Sequence, residues 1–276
     1  MIKNIIVNLP VGEASPAAIS YAISVASAFN AHLTAVAFTY RPVLPGTVFG
    51  SVRAELIEAA LADLVKAAKA AAAKFDDAAR IAGISADCRA LEATPVEAVQ
   101  YFGELARCFD VAIVGQPEPG KDTSESLIIQ AALFASGRPV LIVPYIQRQP
   151  IKFDRVLVCW DGSRNAARAT ADALPFLSRA TAVDVVVVEG EPGKSHEIAG
   201  ADIAHHLARH GLKVDVKRLV VRGVSVANTI LSLAADVGAD MIVMGGYGHS
   251  RLREFILGGV TRGILSSMTV PTLMSH

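Results

Sequence analysis

Short apolar runs of roughly four to eight residues alternate along this chain with longer stretches in which apolar positions recur every three or four residues. The runs predict strands buried on both faces, and the longer stretches predict amphipathic helices packed over them. In the first half, strands are predicted over residues 3–9, 33–38, 84–91, 111–114 and 139–143, with helices over 16–29, 51–82, 95–107 and 124–136. In the second half, strands are predicted over 155–160, 183–188, 213–220, 241–244 and 270–274, with helices over 165–179, 197–210, 226–237 and 259–267. Strands separated by helices imply a parallel sheet covered on both faces by right-handed crossovers.

The order is written twice. The segment ATPVEAVQYFGELARCFDVAIVG, residues 93–115, lies over GVSVANTILSLAADVGADMIVMG, residues 223–245, without a gap. Asp110 falls on Asp240 and Gly115 on Gly245. The polar segment YIQRQP, residues 145–150, ends in Pro and reads as a linker. The expectation is two tandem domains, residues 1–146 and 151–276. Each is a flavodoxin/Rossmann-like α/β unit with a five-stranded parallel sheet of order 3-2-1-4-5. In such sheets ligands bind beyond the carboxyl ends of the strands, where strand order reverses.

Composition removes several function classes. Hydrophobic residues make up 52% of the chain and charged residues 19%, enough apolar material for two cores. Lys+Arg and Asp+Glu balance at 26 each, so no net field attracts nucleic acid or acidic lipid. No apolar run reaches the length of a membrane span, and the opening MIKNIIVNLP reads as a strand, not a signal peptide. Cys88, Cys108 and Cys159 lack metal-ligand spacing and read as reduced thiols of a cytoplasmic protein.

The candidate chemistry gathers in the second half. Its first strand runs into Trp160-Asp161-Gly162-Ser163, and its fourth leads through Met244 to Gly245, Gly246 and Gly248. A second pair, Gly258 and Gly259, opens the last helix, where free N–H groups and the helix dipole favour an anion. Two backbone clamps opposite a carboxylate suit a nucleotide. Gly245–x2–Gly248–x9–Gly258, with the strand MIVM before it and Val260-Thr261 after it, resembles the signature of the universal stress protein (UspA-type) superfamily. The stretch VLVCWDGSRNAARA is similar to that family's first strand and helix.

The resemblance implies an adenine nucleotide (ATP, ADP or AMP) and a role as a stress-response sensor or regulator. It implies that Asp161 and the backbone near Val188 meet adenine, that Gly245 and Gly248 hold the ribose and inner phosphate, and that Gly258, Gly259 and Val260 hold the outer phosphates. Where ATP-binding members carry Ser or Thr after the third glycine, this chain has Gly259, and Thr261 is the nearest hydroxyl. His249 and Arg251 lie inside the glycine loop as phosphate contacts or as solvated residues. The resemblance also implies an internal pseudo-dimer of the two halves through their last strands, with homodimerisation or an unknown protein partner as further association. No Ser-His-Asp order, carboxylate pair or Cys-His set stands at a strand end, so binding with at most weak ATP turnover is expected. The alternatives are a slow hydrolase or phosphotransferase using a divalent ion such as Mg²⁺ in the same pocket, and a nucleotide-independent interaction scaffold.

The first half departs from this pattern throughout. Gly115-Gln116-Pro117-Glu118-Pro119-Gly120 follows its fourth strand, where two prolines remove donors and Glu118 opposes phosphate. Ser126 and Leu127 replace Gly258 and Gly259, and Asn8-Leu9-Pro10 replaces Trp160-Asp161-Gly162. Two other motifs read as ordinary structure. Gly193-Lys194-Ser195 lacks the upstream glycine of a P-loop. His206 and His210 have the one-turn spacing of a metal pair, with no third ligand following.

Overall fold

The computed structural model describes residues 1–11, 16–40, 54–118, 125–189, 199–221, 223–246 and 259–276. The first half runs β1 (Asn4–Leu9), α1 (Ala17–Phe29), β2 (His32–Tyr40), α2 (Ala54–Ile81), β3 (Ala86–Ala93), α3 (Pro95–Ala106), β4 (Val111–Gly115), α4 (Glu125–Ala135) and β5 (Val140–Val143). The second runs β6 (Arg155–Cys159), α5 (Arg164–Leu177), β7 (Ala182–Glu189), α6 (Ala199–Arg209), β8 (Val214–Val220), α7 (Val226–Asp236), β9 (Met241–Gly245), α8 (Gly259–Ser267) and β10 (Thr272–Ser275). Every predicted element is present. The third strand lies two residues later than predicted at both ends, and the last strand begins two residues late because Val270 and Pro271 approach the sheet before pairing begins. The Pro271 carbonyl accepts from Ile242 N at 2.9 Å, while its ring nitrogen has no proton to donate.

All ten strands form one sheet of order β3-β2-β1-β4-β5-β10-β9-β6-β7-β8. Each half therefore has the expected order 3-2-1-4-5, and the halves join edge to edge. The joint is antiparallel, pairing Thr272 with Ile142, Leu273 with Leu141 and Met274 with Val140. Leu141 and Leu273 occupy equivalent places in the two halves and lie directly opposite each other, so a local two-fold axis passes through that pair. Both are fully buried, worth about 1.5–3 kcal/mol each in transfer energy.

Helices α1, α2, α5 and α6 cover one face of the sheet, and α3, α4, α7 and α8 cover the other. Each face carries one apolar core that runs through both halves: Val25, Phe75, Phe176 and Leu207 on the first, and Phe102, Ile129, Ile230 and Ile264 on the second. Residues 144–154 form neither helix nor strand, and their later part is pinned across the halves. Ile151 N donates to Ser24 Oγ at 3.0 Å. The Arg179 guanidinium lies over the Phe29 and Phe153 rings, at 5.0 and 4.9 Å from their centroids, and donates to the Ala28 carbonyl.

Local caps fix the helix starts. Thr94 and Glu97 form a reciprocal capping box at α3, and the Ser225 hydroxyl accepts from Asn228 N at 3.2 Å at α7. The matched acids are structural clamps. Asp110 Oδ2 accepts from Lys3 N and Asn4 N at 2.7 and 3.0 Å, and Asp240 Oδ2 accepts from Asp154 N and Arg155 N at 2.8 and 3.0 Å. Each ties the amino end of its half's first strand to the start of its fourth.

At the outer edges, charged pairs interrupt the exposed ladders of β3 and β8. On β3, Asp87 Oδ1 receives Thr34 Oγ1 at 2.6 Å and His32 Nε2 at 2.8 Å, and Arg89 lies 3.3 Å from Oδ2. Burial alone would raise the Asp87 carboxyl, but these three donors outweigh it and hold it below its ordinary value. Lys217 and Asp215 pair at 2.5 Å on β8.

Candidate nucleotide site

The register of β6 and β9 sets the site. Cys159 lies beside Met244, so the chain leaves the sheet at Trp160-Asp161 next to Gly245-Gly246. This is the switch point of the second half, because β7 flanks β6 on one side and β9 on the other.

Asp161 stands exposed at this crevice. Its Oδ1 accepts from Ser163 N at 2.9 Å, and Gly162 between them takes a φ of +73°, which a side chain disfavours. Ser163 then caps α5, its hydroxyl accepting from Ala166 N at 3.1 Å. The turn is thus held at both ends while Asp161 stays exposed. Beneath it, burial and the Asp161 charge push the Cys159 thiol up to about 12, so Cys159 remains protonated and inert. The indole N–H of Trp160 is buried without a hydrogen-bond partner among the described residues.

Gly245 has a packing reason to be glycine. A Cβ there would stand 2.6 Å from Ala166 N, 2.7 Å from Asn165 C and 2.9 Å from Asn165 Cβ. The first turn of α5 lies directly on the strand end. Its counterpart Gly115 is under no such pressure, since a Cβ would meet only Ala18 Cβ at an ordinary 3.6 Å.

Asn165, 9% exposed, was not legible as a site residue. Its Nδ2 donates to the Gly246 carbonyl at 2.5 Å and lies 2.9 Å from His276 Nδ1. Gly246 N donates to Ser275 O at 2.8 Å. The first residue of the glycine loop is therefore held from α5 on one side and β10 on the other. Nothing in the residue pattern signals this, because an Asn in a first helical turn is an ordinary surface choice.

Helix α8 begins at Gly259 with Gly259 and Val260 exposed. Among the described residues no heavy atom lies within 4 Å of a Cβ built on Gly259, so crowding by them does not explain the missing hydroxyl. Thr261 is 4% exposed and faces the core. Gly263 is needed for packing, since its Cβ would meet Ala227 Cβ at 2.6 Å. Val188 is half-buried near the end of β7, and Met244 is buried at 5% exposure. The structure thus brings Asp161, Met244 and Gly245 together at one crevice. Gly248, His249, Arg251 and Gly258 lie outside the described residues, as do Lys194, Pro119 and Gly120.

The first half differs at the same places, with one correction to the sequence alignment. The registers place Val7 beside Ile113 and Val158 beside Val243. Pro10, not Leu9, therefore stands where the second half has Asp161, and Leu9 stands where it has Trp160. The β1–α1 connection runs over residues 10–16 and the β6–α5 connection over 160–163, so the spacing to the helices does not fix the match and only the strand registers do. Gln116, the counterpart of Gly246, is buried at 4% exposure. Ser126 and Leu127 lie in the first turn of α4.

His206 on α6 and His210 just beyond its end, both exposed, meet edge to face at 4.9 Å. Among the described residues no group of three or more His, Cys, Asp or Glu could hold a metal ion, and no helix is long and apolar enough to cross a membrane.

Residues 152–276 match the model of the universal stress protein family. Universal stress protein Slr1230 of Synechocystis sp. is 25% identical over 202 residues, spanning 66% of this chain and 67% of that protein. Universal stress protein MJ0577 of Methanocaldococcus jannaschii is 36% identical over 59 residues, 21% of this chain and 36% of that protein. Among solved structures, a universal stress protein from Archaeoglobus fulgidus is similar over 98% of this chain and 95% of its own, with a TM-score of 0.71 at 18% identity.

Proposed function

From the match of residues 152–276 to the universal stress protein family, we propose that the chain is a member of that superfamily whose second half binds an adenine nucleotide and serves as a stress-response sensor or regulator. The observation that carries this reading is the exposed Asp161, fixed by its turn beside Gly245-Gly246 at the switch point, with the exposed start of α8 in the same half. An exposed carboxylate there suits amine or hydroxyl donors of a base or ribose. Backbone N–H groups at the start of α8 suit phosphate oxygens. Gly248 and Gly258 complete the two clamps on the sequence pattern, with His249 and Arg251 between them as cationic candidates. The domains follow the pattern of one unit that keeps the site, residues 151–276, and one that has lost it, residues 1–146. We read the arrangement as serving binding, with at most weak turnover.

Titration calorimetry with ATP, ADP and AMP tests the proposal. Asp161→Asn keeps the acceptor for Ser163 N and removes the charge, so the fold is unchanged while affinity falls about tenfold or more, the scale of losing a charge-assisted hydrogen bond. Gly248→Val lowers affinity as well. Unaltered nucleotide affinity in both variants refutes the assignment of the pocket.

A further inference from the structure

The first half lacks the site, yet it touches the second half's site at two points, and both contacts lie about the two-fold at Leu141 and Leu273. The first is Gln116. Its backbone N–H donates to Val143 O at 2.7 Å, and its side chain crosses the joint, Nε2 donating to Leu265 O at 2.8 Å. Its Oε1 accepts from Tyr145 N at 3.3 Å. Leu265 lies in the last turn of α8, where carbonyls have no partner within the helix. A buried primary amide is costly unless both ends are satisfied, and here one end is satisfied by α8 and the other by the segment leaving β5.

The second contact is made by α4. Leu133 Cδ2 lies 2.8 Å from where a Cβ on Gly246 would be, so this side chain rests on the bare backbone that starts the glycine loop. The neighbouring Phe134 meets the His276 ring edge to face at 4.8 Å, and His276 Nδ1 lies 3.1 Å from the Gly246 carbonyl. Gln116 is the counterpart of Gly246, and Leu133 is the counterpart of Leu265. The same pair of positions therefore meets twice across the joint, once as amide on carbonyl and once as methyl on backbone.

We propose that the first half braces the nucleotide site of the second, with Gln116 as a positioning residue for α8 and Leu133 as the support of Gly246, so that nucleotide binding and the contact between the halves are energetically coupled. This rests on the nucleotide reading above. A helix of nine residues is about 13 Å long, so a hydrogen bond that fixes its last turn also fixes the direction of the N–H groups at its first. By linkage, a ligand that orders the start of α8 must tighten the Gln116 contact in return. The residue freed from the glycine loop in the first half thus acquires a task in the second half's site.

The test uses the full chain, ATP, and two readouts. Gln116→Leu fills the same space without donor or acceptor and lowers ATP affinity about three- to tenfold, the worth of a buried hydrogen bond. Leu133→Ala lowers it by a smaller factor. Phe75→Leu, on the buried side of α2 and remote from the site, lowers thermal stability and leaves affinity unchanged. The second readout is exchange of the Tyr145 amide, which ATP slows in the unaltered protein and does not slow in Gln116→Leu. If the unaltered protein binds ATP, but Gln116→Leu binds it within twofold and Tyr145 exchange ignores ATP, the coupling is refuted. Failure of the unaltered protein to bind ATP refutes the nucleotide reading itself and the coupling with it.

Discussion

Replacing Gly245 and Gly115 separately by Ala puts the same methyl group at equivalent strand ends with opposite outcomes. At Gly245 the methyl meets three atoms under 3.0 Å, two of them backbone atoms of the first turn of α5. Carbon contacts are comfortable near 3.5–4.0 Å, so α5 must retreat by roughly 1 Å, with Ser163 and Asn165 in tow. Overpacking of this kind costs about 1–3 kcal/mol, partly offset by about 0.4–1 kcal/mol from the stiffer unfolded chain. At Gly115 the nearest atom is an ordinary 3.6 Å away, so only the stabilising contribution remains. The variants should differ by about 2 kcal/mol, or about 4–8 °C in Tm for a chain of this size class. Differential scanning calorimetry and urea titration measure it. ATP affinity should fall in Gly245→Ala alone, because Asp161 and the Asn165–Gly246 bond both hang on the start of α5. Equal Tm shifts in the two variants would sink the packing argument. A Gly245→Ala protein of lowered Tm and unchanged ATP affinity would show that the strand end packs without shaping the site.

Two further outcomes are expected. Gly259→Ser meets no neighbour and restores the hydroxyl of the family pattern, so calorimetry should show ATP affinity raised about two- to tenfold; unchanged affinity would place the phosphates elsewhere than the start of α8. Because the folded carboxyl of Asp87 is held below its ordinary value, its stabilisation is complete above the unfolded-state value, near 4, and is lost as pH falls through the folded one. Urea unfolding between about pH 3 and 6 should therefore show a shallower decline in Asp87→Asn than in the unaltered protein; parallel curves would remove Asp87 from the acid limb.

Periodicity and duplication were enough to place every strand and helix of the described chain, because alternating buried runs and amphipathic stretches are local consequences of burial and can be read one window at a time. The candidate site was legible where its chemistry is carried by unusual residues at strand ends: Asp161 before a turn glycine, and glycines after an apolar run. Packing reasons were not legible. Gly245 looks like a ligand glycine in sequence, and only the approach of α5 to within 2.6 Å of its Cβ direction shows a steric demand. Gly259 reads in sequence only as a departure from the family pattern, and the structure shows that no described residue crowds the place of its Cβ. Asn165 and Gln116 gave no signal at all, since a side-chain amide is common on surfaces and its partners here lie 81 and 149 residues away. The sequence by itself determined the elements, the parallel order within each half and the residue types at the switch point, all of which follow from spacing along one chain. The tertiary structure alone decided the one-residue shift that matches Pro10 with Asp161, the burial of Gln116 and the direct meeting of Leu141 with Leu273. These depend on distances between segments remote in the chain, which short-range patterning does not encode.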